Sequence, residues 1–505
     1  MTEIEFNALA ADGYNRIPLI AETYADLDTP LSIYLKLAHS GPKGGRYSCL
    51  LESVVGGERF GRYSFIGLPA KTRLESYGEQ TEVIHEGKVV ESHTGNPFDF
   101  LSTYQKRFKV ALRPGMPRFA GGLAGYFAYE AAQHLLDGVK LSDKAFPSGM
   151  TPTPDILLLH IDELVVVDNL AGRTYLIVYA DPSRPEAYTQ ARQRLNDLRR
   201  QLRSPVTIPY AYASLQTKSR HLIEQNDYLK AVEKAQNVIK KGQLKQVQIG
   251  QTISKPYSDS PLSLYRALRS LNPSPYLYYW NFDDFHVVGS SPEILVRQET
   301  INTNGTREAN VVLRPLAGTR PRGTTPKRDQ ELAKELLADA KECAEHNMLI
   351  EQAHSDLKPI CQPETIRTTE TRAIERYSHV MHLVSNVQGK LAPNKNVNDI
   401  LKACFPAGTL SGSPRNKAMA LIDELEPLRR GIYGGATGYL SYSGEMDLAI
   451  TIRTGIIQNG NLYVQAAAGI VADSDPQKEW EETEAKARAI LRAAEHVQYG
   501  LDEPI

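Results

Sequence analysis

Phe405-Pro406-Ala407-Gly408-Thr409-Leu410-Ser411-Gly412 is rich in glycine and hydroxyls and has the pattern of neither a core strand nor a core helix. On either side of it, far off in sequence, a helix-like segment carries a pair of glutamates, Glu342/Glu345 and Glu479/Glu482. The i, i+3 spacing puts both carboxylates of a pair on one helix face. Two such faces brought together form an oxygen-rich cage of the kind Mg²⁺ prefers. The bland alternative for either pair is a solvated helix surface, where such spacing is common. Taken with the loop between them, the pairs point to an enzyme whose magnesium ion holds a carboxylate-bearing small molecule.

Composition removes several classes. With 505 residues the chain exceeds one ordinary core and suggests two domains or one large composite. A hydrophobic content of 41% is that of a globular protein. The formal net charge is −1 and no long basic run occurs, so no nucleic-acid partner is expected. Cys49, Cys343, Cys361 and Cys404 show no regular spacing, which predicts reduced thiols and a cytoplasmic protein. The start, Met1-Thr2-Glu3-Ile4-Glu5-Phe6, lacks the basic and apolar regions of a signal peptide, and no apolar run is long enough to span a membrane.

Residues 1–215 read as strands punctuated by glycine turns, as in Tyr47-Ser48-Cys49-Leu50-Leu51-Glu52-Ser53 and Asp155-Ile156-Leu157-Leu158-Leu159-His160-Ile161. Residues 121–130 mix small and aromatic residues, as a strand packed close to another backbone does. A charged helix is expected over 184–202 and a linker over 204–219. Residues 216–505 form the second part. An amphipathic helix over 226–241 presents Tyr228, Val232, Ala235 and Val238 on one face. The strand Gln246-Val247-Gln248-Ile249-Gly250-Gln251 follows, its glutamines expected along one face. A long helical region covers 329–357, with Asp339 capping the half that carries Glu342 and Glu345. The last helix starts after Ser474-Asp475-Pro476 and carries Glu479 and Glu482.

Five motifs resemble the large subunits of anthranilate synthases, a branch of the chorismate-utilising enzyme family. They are Leu50-Leu51-Glu52-Ser53, Asn272-Pro273-Ser274-Pro275-Tyr276-Leu277, Arg314-Pro315-Leu316-Ala317-Gly318-Thr319-Arg320, the stretch from Phe405 to Gly412, and Ala468-Gly469-Ile470-Val471-Ala472-Asp473-Ser474. The match covers nearly the whole chain. The resemblance implies an α/β (α+β) fold, a large two-sheet sandwich with surrounding helices and the active site deep between the sheets. The N-terminal part, 1–215, is interleaved with the chorismate-binding catalytic part, 216–505, and supplies a regulatory pocket.

The resemblance also assigns roles. Glu345 and Glu482 hold Mg²⁺, with Glu342 and Glu479 nearby, and the ion binds the ring carboxylate of chorismate. Tyr433 and Arg453 take the enolpyruvyl carboxylate, for which a guanidinium fork is suited. His382, in Tyr377-Ser378-His379-Val380-Met381-His382, is the acid–base histidine, whereas His379 reads as a packed core residue. Thr319 and Thr409 offer hydroxyls to substrate, Gly469 lets backbone approach a carboxylate, Ala467 lies close to it, and Lys486 joins the catalytic set. Gln246 stands where water-adding relatives carry a lysine base, and Ala317 where aminodeoxychorismate synthases carry a nucleophilic lysine. Both imply amination of chorismate at C2, then pyruvate loss to give anthranilate, with ammonia from a separate glutamine amidotransferase subunit. Glu52, Ser53, Pro275, Tyr276 and Leu277 are expected to form a tryptophan feedback pocket, Glu52 meeting the ammonium group, Ser53 hydrogen-bonding the amino acid and Pro275–Leu277 shaping the wall around the indole, and an oligomer is expected.

The chain departs from the family pattern at 347–359, where Glu351 replaces an aspartate and His354-Ser355 an Arg-Asn pair. Arg415-Asn416, Ala467 and Ala485 depart as well. Two alternatives therefore stand beside the anthranilate reading: a paralogue with altered product or nucleophile, of aminodeoxyisochorismate or isochorismate type, and a non-catalytic regulatory subunit.

Overall fold

The computed structural model describes residues 1–24, 26–39, 44–53, 61–206, 216–303, 306–377 and 380–501, without the side chains of 302, 303 and 306. Among these, two antiparallel sheets of twelve strands each dominate. The first runs Ile17–Tyr24, Arg173–Ala180, Glu163–Asp168, Tyr63–Gly67, Ser48–Glu52, Tyr276–Asn281, Phe285–Ser291, Thr454–Gln458, Asn461–Ile470, Gln246–Pro256 and Arg220–His221. The short strand Gly412–Ser413 also pairs with Gln246–Pro256. The second runs Leu316–Pro321, Val380–Lys390, Thr306–Leu313, Ile294–Thr303, Met446–Ile450, Ala436–Ser441, Gly122–Phe127, Ile156–Ile161, Thr72–Tyr77, Gln80–His85 and Lys88–Thr94, with Arg367–Arg376 added beside Val380–Lys390.

Residues 1–206 and 216–501 share both sheets. They join at two seams, Ser48–Glu52 against Tyr276–Asn281 and Gly122–Phe127 against Ala436–Ser441.

The two-residue period of a strand explains the layering. In Tyr276–Asn281, Tyr278 and Trp280 enter the core between the sheets, while Leu277 and Tyr279 pack under the helices outside. Ile156–Ile161 divides likewise, Leu157, Leu159 and Ile161 inward and Ile156 and Leu158 outward. Both faces are covered, so these strands read as unbroken apolar runs. Gly122–Phe127 is buried throughout, and a Cβ on Gly125 would lie 2.0 Å from the Leu157 carbonyl oxygen, so close backbone approach requires glycine there.

The helices begin where local chemistry dictates. Asp339 accepts from the Lys341 and Glu342 amides and starts Ala340–Leu357, dividing it from Pro326–Ala338. Asp475 does the same for Pro476–Tyr499 through the Gln477 and Lys478 amides. The expected amphipathic helix is Gln225–Lys240, with Tyr228, Val232 and Ala235 buried. The charged helix begins later than expected, at Ala187–Leu202. Of the expected linker, 207–215 lies outside the described residues, and its far end runs into the edge strand Arg220–His221. All four cysteines are free. No described helix is long and apolar enough to cross a membrane.

Candidate active site

The neighbouring strands Gln246–Pro256 and Asn461–Ile470 form the floor of the site. Register places Gln248 opposite Gly469 and Gly250 opposite Ala467. Gln246, Gln248, Ala467 and Gly469 therefore share one face, and Val247 and Ile249 turn the other way into a buried cluster. Gln251 belongs to that second face, contrary to the expected single row of glutamines. Its amide donates to Thr483 Oγ1 (2.6 Å) and Glu484 Oε1 (2.9 Å) on the helix Pro476–Tyr499. On the first face Glu426 accepts from the Gly250 amide (2.7 Å) and grips Arg430 with both oxygens (2.8 and 2.6 Å). Arg430 also donates to the Leu410 carbonyl (2.6 Å), tying down the loop that bears Thr409. This buried, bidentate pair fixes the base on which Tyr433 sits, its ring 5.9 Å from the guanidinium carbon.

Arg453 has a left-handed backbone, φ 51°, unusual for a long side chain. Its carbonyl accepts from the Ser290 amide (3.0 Å), and two residues earlier Thr451 exchanges hydrogen bonds with Gly434 and Gly435. Its guanidinium makes no ion pair or hydrogen bond among the described residues. Burial drives its pKa down, against the pull of Tyr433 and Glu293. An arginine kept in such surroundings awaits an anion. Burial also holds the Tyr433 phenol protonated.

Glu293 is the residue that sequence reasoning missed. Burial pushes its carboxyl up to about 7, although Thr409 donates to it (3.0 Å) and Lys486 and Arg453 pull the other way. A proton therefore resides on Glu293 for much of the neutral range. The available signal was Ser291-Pro292-Glu293, an acidic residue directly after a buried strand and a proline. Lys486 reaches the same neighbourhood, donating to the Ala467 carbonyl (2.8 Å) and pairing with Glu482 (2.7 Å).

His382 pairs in register with Thr319 across a bulge between Ala317 and Thr319, where Gly318 has φ 74°. Glycine is the residue that takes such a φ without strain. The His382 Nδ1 lies 3.2 Å from the Gly318 carbonyl and 3.0 Å from Thr319 Oγ1. A carbonyl only accepts, so Nδ1 carries the proton and Nε2 is the exchangeable nitrogen. Burial lowers its pKa, the Gly318 carbonyl raises it, and the charge of Arg453 lowers it again. Neutral imidazole is the form present at neutral pH. His379 lies outside the described residues.

The glutamate pairs occupy the two helices as expected. Glu345 is raised mainly by partial burial, with Glu342, Asp339 and Glu482 raising it further against Lys341; Glu482 thus acts on it from the other helix. Burial likewise raises Glu479, with Glu482 adding to it. Arg320 stands 3.5 Å from Glu342 and Lys341 3.9 Å from Glu345. Among the described residues, no three His, Cys, Asp or Glu side chains converge on one point as a metal cage. The donor set nevertheless suits a hard divalent cation: carboxylate oxygens, in mutual repulsion, at a partly hydrated edge.

A second cavity, of about 350 Å³, lies apart from these residues. Leu51, Glu52, Ser53, Pro275, Tyr276 and Leu277 all line it, as do Arg297, Thr437, Tyr439 and Asp447. The Ser53 hydroxyl is buried and has no hydrogen-bond partner among the described residues. Glu52 departs from the expected role of meeting an ammonium group. Its side chain is 2% exposed and bound to Tyr265 and to Arg269 (3.0 Å) behind the wall. The acid in this cavity is Asp447, held by Arg297 (2.8 Å) and the Tyr276 hydroxyl (2.9 Å). Cavity and site share three adjacent strands. Ile294–Thr303 carries Arg297 and follows Glu293, Met446–Ile450 carries Asp447 and leads to Arg453, and Ala436–Ser441 carries Tyr439 and follows Tyr433.

Several of the departures find partners within the chain. Asn347 accepts from Arg372 (3.0 Å), His354 meets Thr368 (2.9 Å), Arg415 pairs with Asp356 (3.1 Å), and Asn416 donates to the Asp137 carbonyl (3.0 Å). The first three knit the helix Ala340–Leu357 to its neighbours, and the fourth ties the helix Arg415–Leu425 to the segment around Asp137. Ala485 is exposed. Ala467 alone lies on the floor of the site.

The family model of chorismate binding enzymes matches residues 55–492. Anthranilate synthase component 1 of Neisseria meningitidis is 52% identical over 502 residues, covering 99% of each chain. That of Pseudomonas putida is 48% identical over 500 residues, covering 98% of each. The crystal structure of anthranilate synthase component I from Streptococcus pneumoniae superimposes with a TM-score of 0.73 at 31% identity, covering 92% of this chain and 98% of that one. A menaquinone-specific isochorismate synthase from Escherichia coli shares the fold, with a TM-score of 0.68 at 21% identity over 97% of this chain and 98% of its own. The chain belongs to the chorismate binding enzyme family. Within that family it is an anthranilate synthase-like enzyme of the lyase type.

Proposed function

We propose that this chain converts chorismate and ammonia to anthranilate, pyruvate and water, the entry step of tryptophan synthesis. The observation that carries the reading is Arg453, a largely enclosed guanidinium with no carboxylate partner among the described residues, beside the Tyr433 phenol and the substrate-facing floor. It takes the enolpyruvyl carboxylate, and Gly469 seats it against backbone. Glu345 and Glu482, with Glu342 and Glu479 beside them, would hold Mg²⁺, which when bound neutralises the ring carboxylate and fixes the ring.

The protonation states divide the work. Ammonia adds at C2, both ring double bonds shift, and the 4-hydroxyl leaves as water with a proton from Glu293, whose carboxyl sits at about 7. Neutral His382, with Nδ1 committed to Gly318, then takes the C2 proton at Nε2 as pyruvate departs and the ring becomes aromatic. Gln246 is a neutral amide and activates no water, so ammonia is the nucleophile. Ala317 supplies no amine for a covalent intermediate.

Relatives called component 1 imply a second component, and a glutamine amidotransferase subunit would deliver the ammonia. The 350 Å³ cavity would bind tryptophan as feedback inhibitor, with Asp447 meeting its ammonium group and Ser53 a further hydrogen bond.

Incubation with chorismate, Mg²⁺ and an ammonium salt tests the reading. Fluorescent anthranilate supports it. A non-aromatic amine, isochorismate or no turnover refutes it.

A further inference from the structure

Between Gln246 at one end and Thr252 at the other, the site-facing side of the strand Gln246–Pro256 carries one long side chain, Gln248. Its neighbours on that face are Gly250, Ala467 and Gly469, two glycines and a methyl group. Gly250 has little room for more, since a Cβ there would stand 3.2 Å from Glu426 Oε1, which is held by Arg430. A Cβ at Gly469 would lie 2.9 Å from the Gln248 Nε2, so the amide rests directly over the backbone of Gly469.

Half-buried, the Gln248 side chain makes no hydrogen bond among the described residues. Its backbone is fully committed, the amide to the Ser411 carbonyl (3.0 Å) and the carbonyl to Arg430 (3.2 Å). A side chain needed only to fill space here would be apolar, as Val247 and Ile249 are on the opposite face. An amide held on a rigid strand with free N–H groups, beside a glycine and in the neighbourhood of Lys486, is a donor in wait of an acceptor.

We propose that Gln248 contacts substrate, its side-chain N–H donating to the carboxylate that seats on Gly469, and so helps select for a dicarboxylate. The proposal rests on the chorismate reading above. It differs from that reading in assigning a recognition role to a residue that neither acts in proton transfer nor belongs to the metal edge. The amide contributes to holding the substrate in the ground state and in the transition state alike, so its loss appears mainly in KM.

The test is steady-state kinetics with chorismate and ammonium salt on wild type, Gln248→Leu and Gln248→Glu, with calorimetric titration of chorismate alongside. Gln248→Leu is expected to raise KM and Kd about tenfold, well beyond its effect on kcat, because a hydrogen bond to a charged group is lost. Its thermal midpoint should match wild type, since no protein partner is orphaned. Gln248→Glu should raise KM further at pH 8, and the ratio of its KM to that of Gln248→Leu should fall towards pH 5 as the introduced carboxyl takes a proton. Wild-type KM and Kd in Gln248→Leu, or a pH-independent ratio between the variants, overturns the proposal. A wild type that makes no anthranilate overturns the reaction assignment instead, and the calorimetric comparison then still decides the role of Gln248 in binding.

Discussion

Replacing Glu293 with glutamine tests both the electrostatics and the chemistry of the site. The carboxyl is pushed from an ordinary 4.5 to about 7 by burial, outweighing Thr409, Lys486 and Arg453. The folded chain therefore binds a proton that the unfolded chain has released between those values. That stabilisation is complete below about pH 4.5 and is lost as pH rises through about 7. Between pH 5 and pH 8 it amounts to about 2–3 kcal/mol. For a chain of this size the corresponding change in thermal midpoint is about 2–3 °C. Glu293→Gln does not titrate, so its midpoint should rise relative to wild type by that amount from pH 5 to pH 8. Scanning calorimetry of both proteins across the range measures it. In the same variant kcat should fall about 10²–10⁴-fold, because an amide donates no proton to the leaving hydroxyl. Parallel pH profiles of stability would refute the assigned protonation, and retained kcat would refute the role as acid.

Glu345→Gln and Glu482→Gln should each abolish turnover by removing a negative ligand, with Mg²⁺ titrations shifting to higher concentration; near-normal activity with unchanged Mg²⁺ dependence would exclude the metal assignment. His382→Ala should let an aminated, non-aromatic product accumulate, visible by chromatography, and a normal anthranilate yield would remove its role in the second step. Ser53→Phe should fill the second cavity and abolish the calorimetric heat of tryptophan binding, and in wild type chorismate and tryptophan should weaken each other's binding by equal factors. Binding untouched by Ser53→Phe would place tryptophan elsewhere.

Much of this architecture was legible because its signals are local. Asp339 and Asp475 cap their helices as an acidic residue before a helical pattern should, and Asp475 is followed by proline at the first turn. Strand identity along Ile156–Ile161 and Gly122–Phe127 followed from apolar runs and small residues. Facing was harder. Gln251 lies an odd number of residues from Gln246 and so turns to the other side, where Thr483 and Glu484 satisfy it. Glu52 points away from its cavity because Arg269, more than two hundred residues on, is its partner. Glu293 owes its character to burial by distant segments, which no spacing in the chain encodes. The match to family motifs carried most of the site residues, and geometry added the acid that those motifs had not singled out.

The two seams bear on how the chain is made. Ser48–Glu52 and Gly122–Phe127 emerge early from the ribosome, but their partners Tyr276–Asn281 and Ala436–Ser441 come far later. For the second seam the interval is roughly 300 residues, about 15–60 s of synthesis. During that time a buried strand of small and aromatic residues presents an open hydrogen-bonding edge. Any polypeptide ending before residue 436 keeps that edge open permanently. Building both sheets from both ends of the chain therefore predicts chaperone binding during translation and insolubility of the isolated first 206 residues.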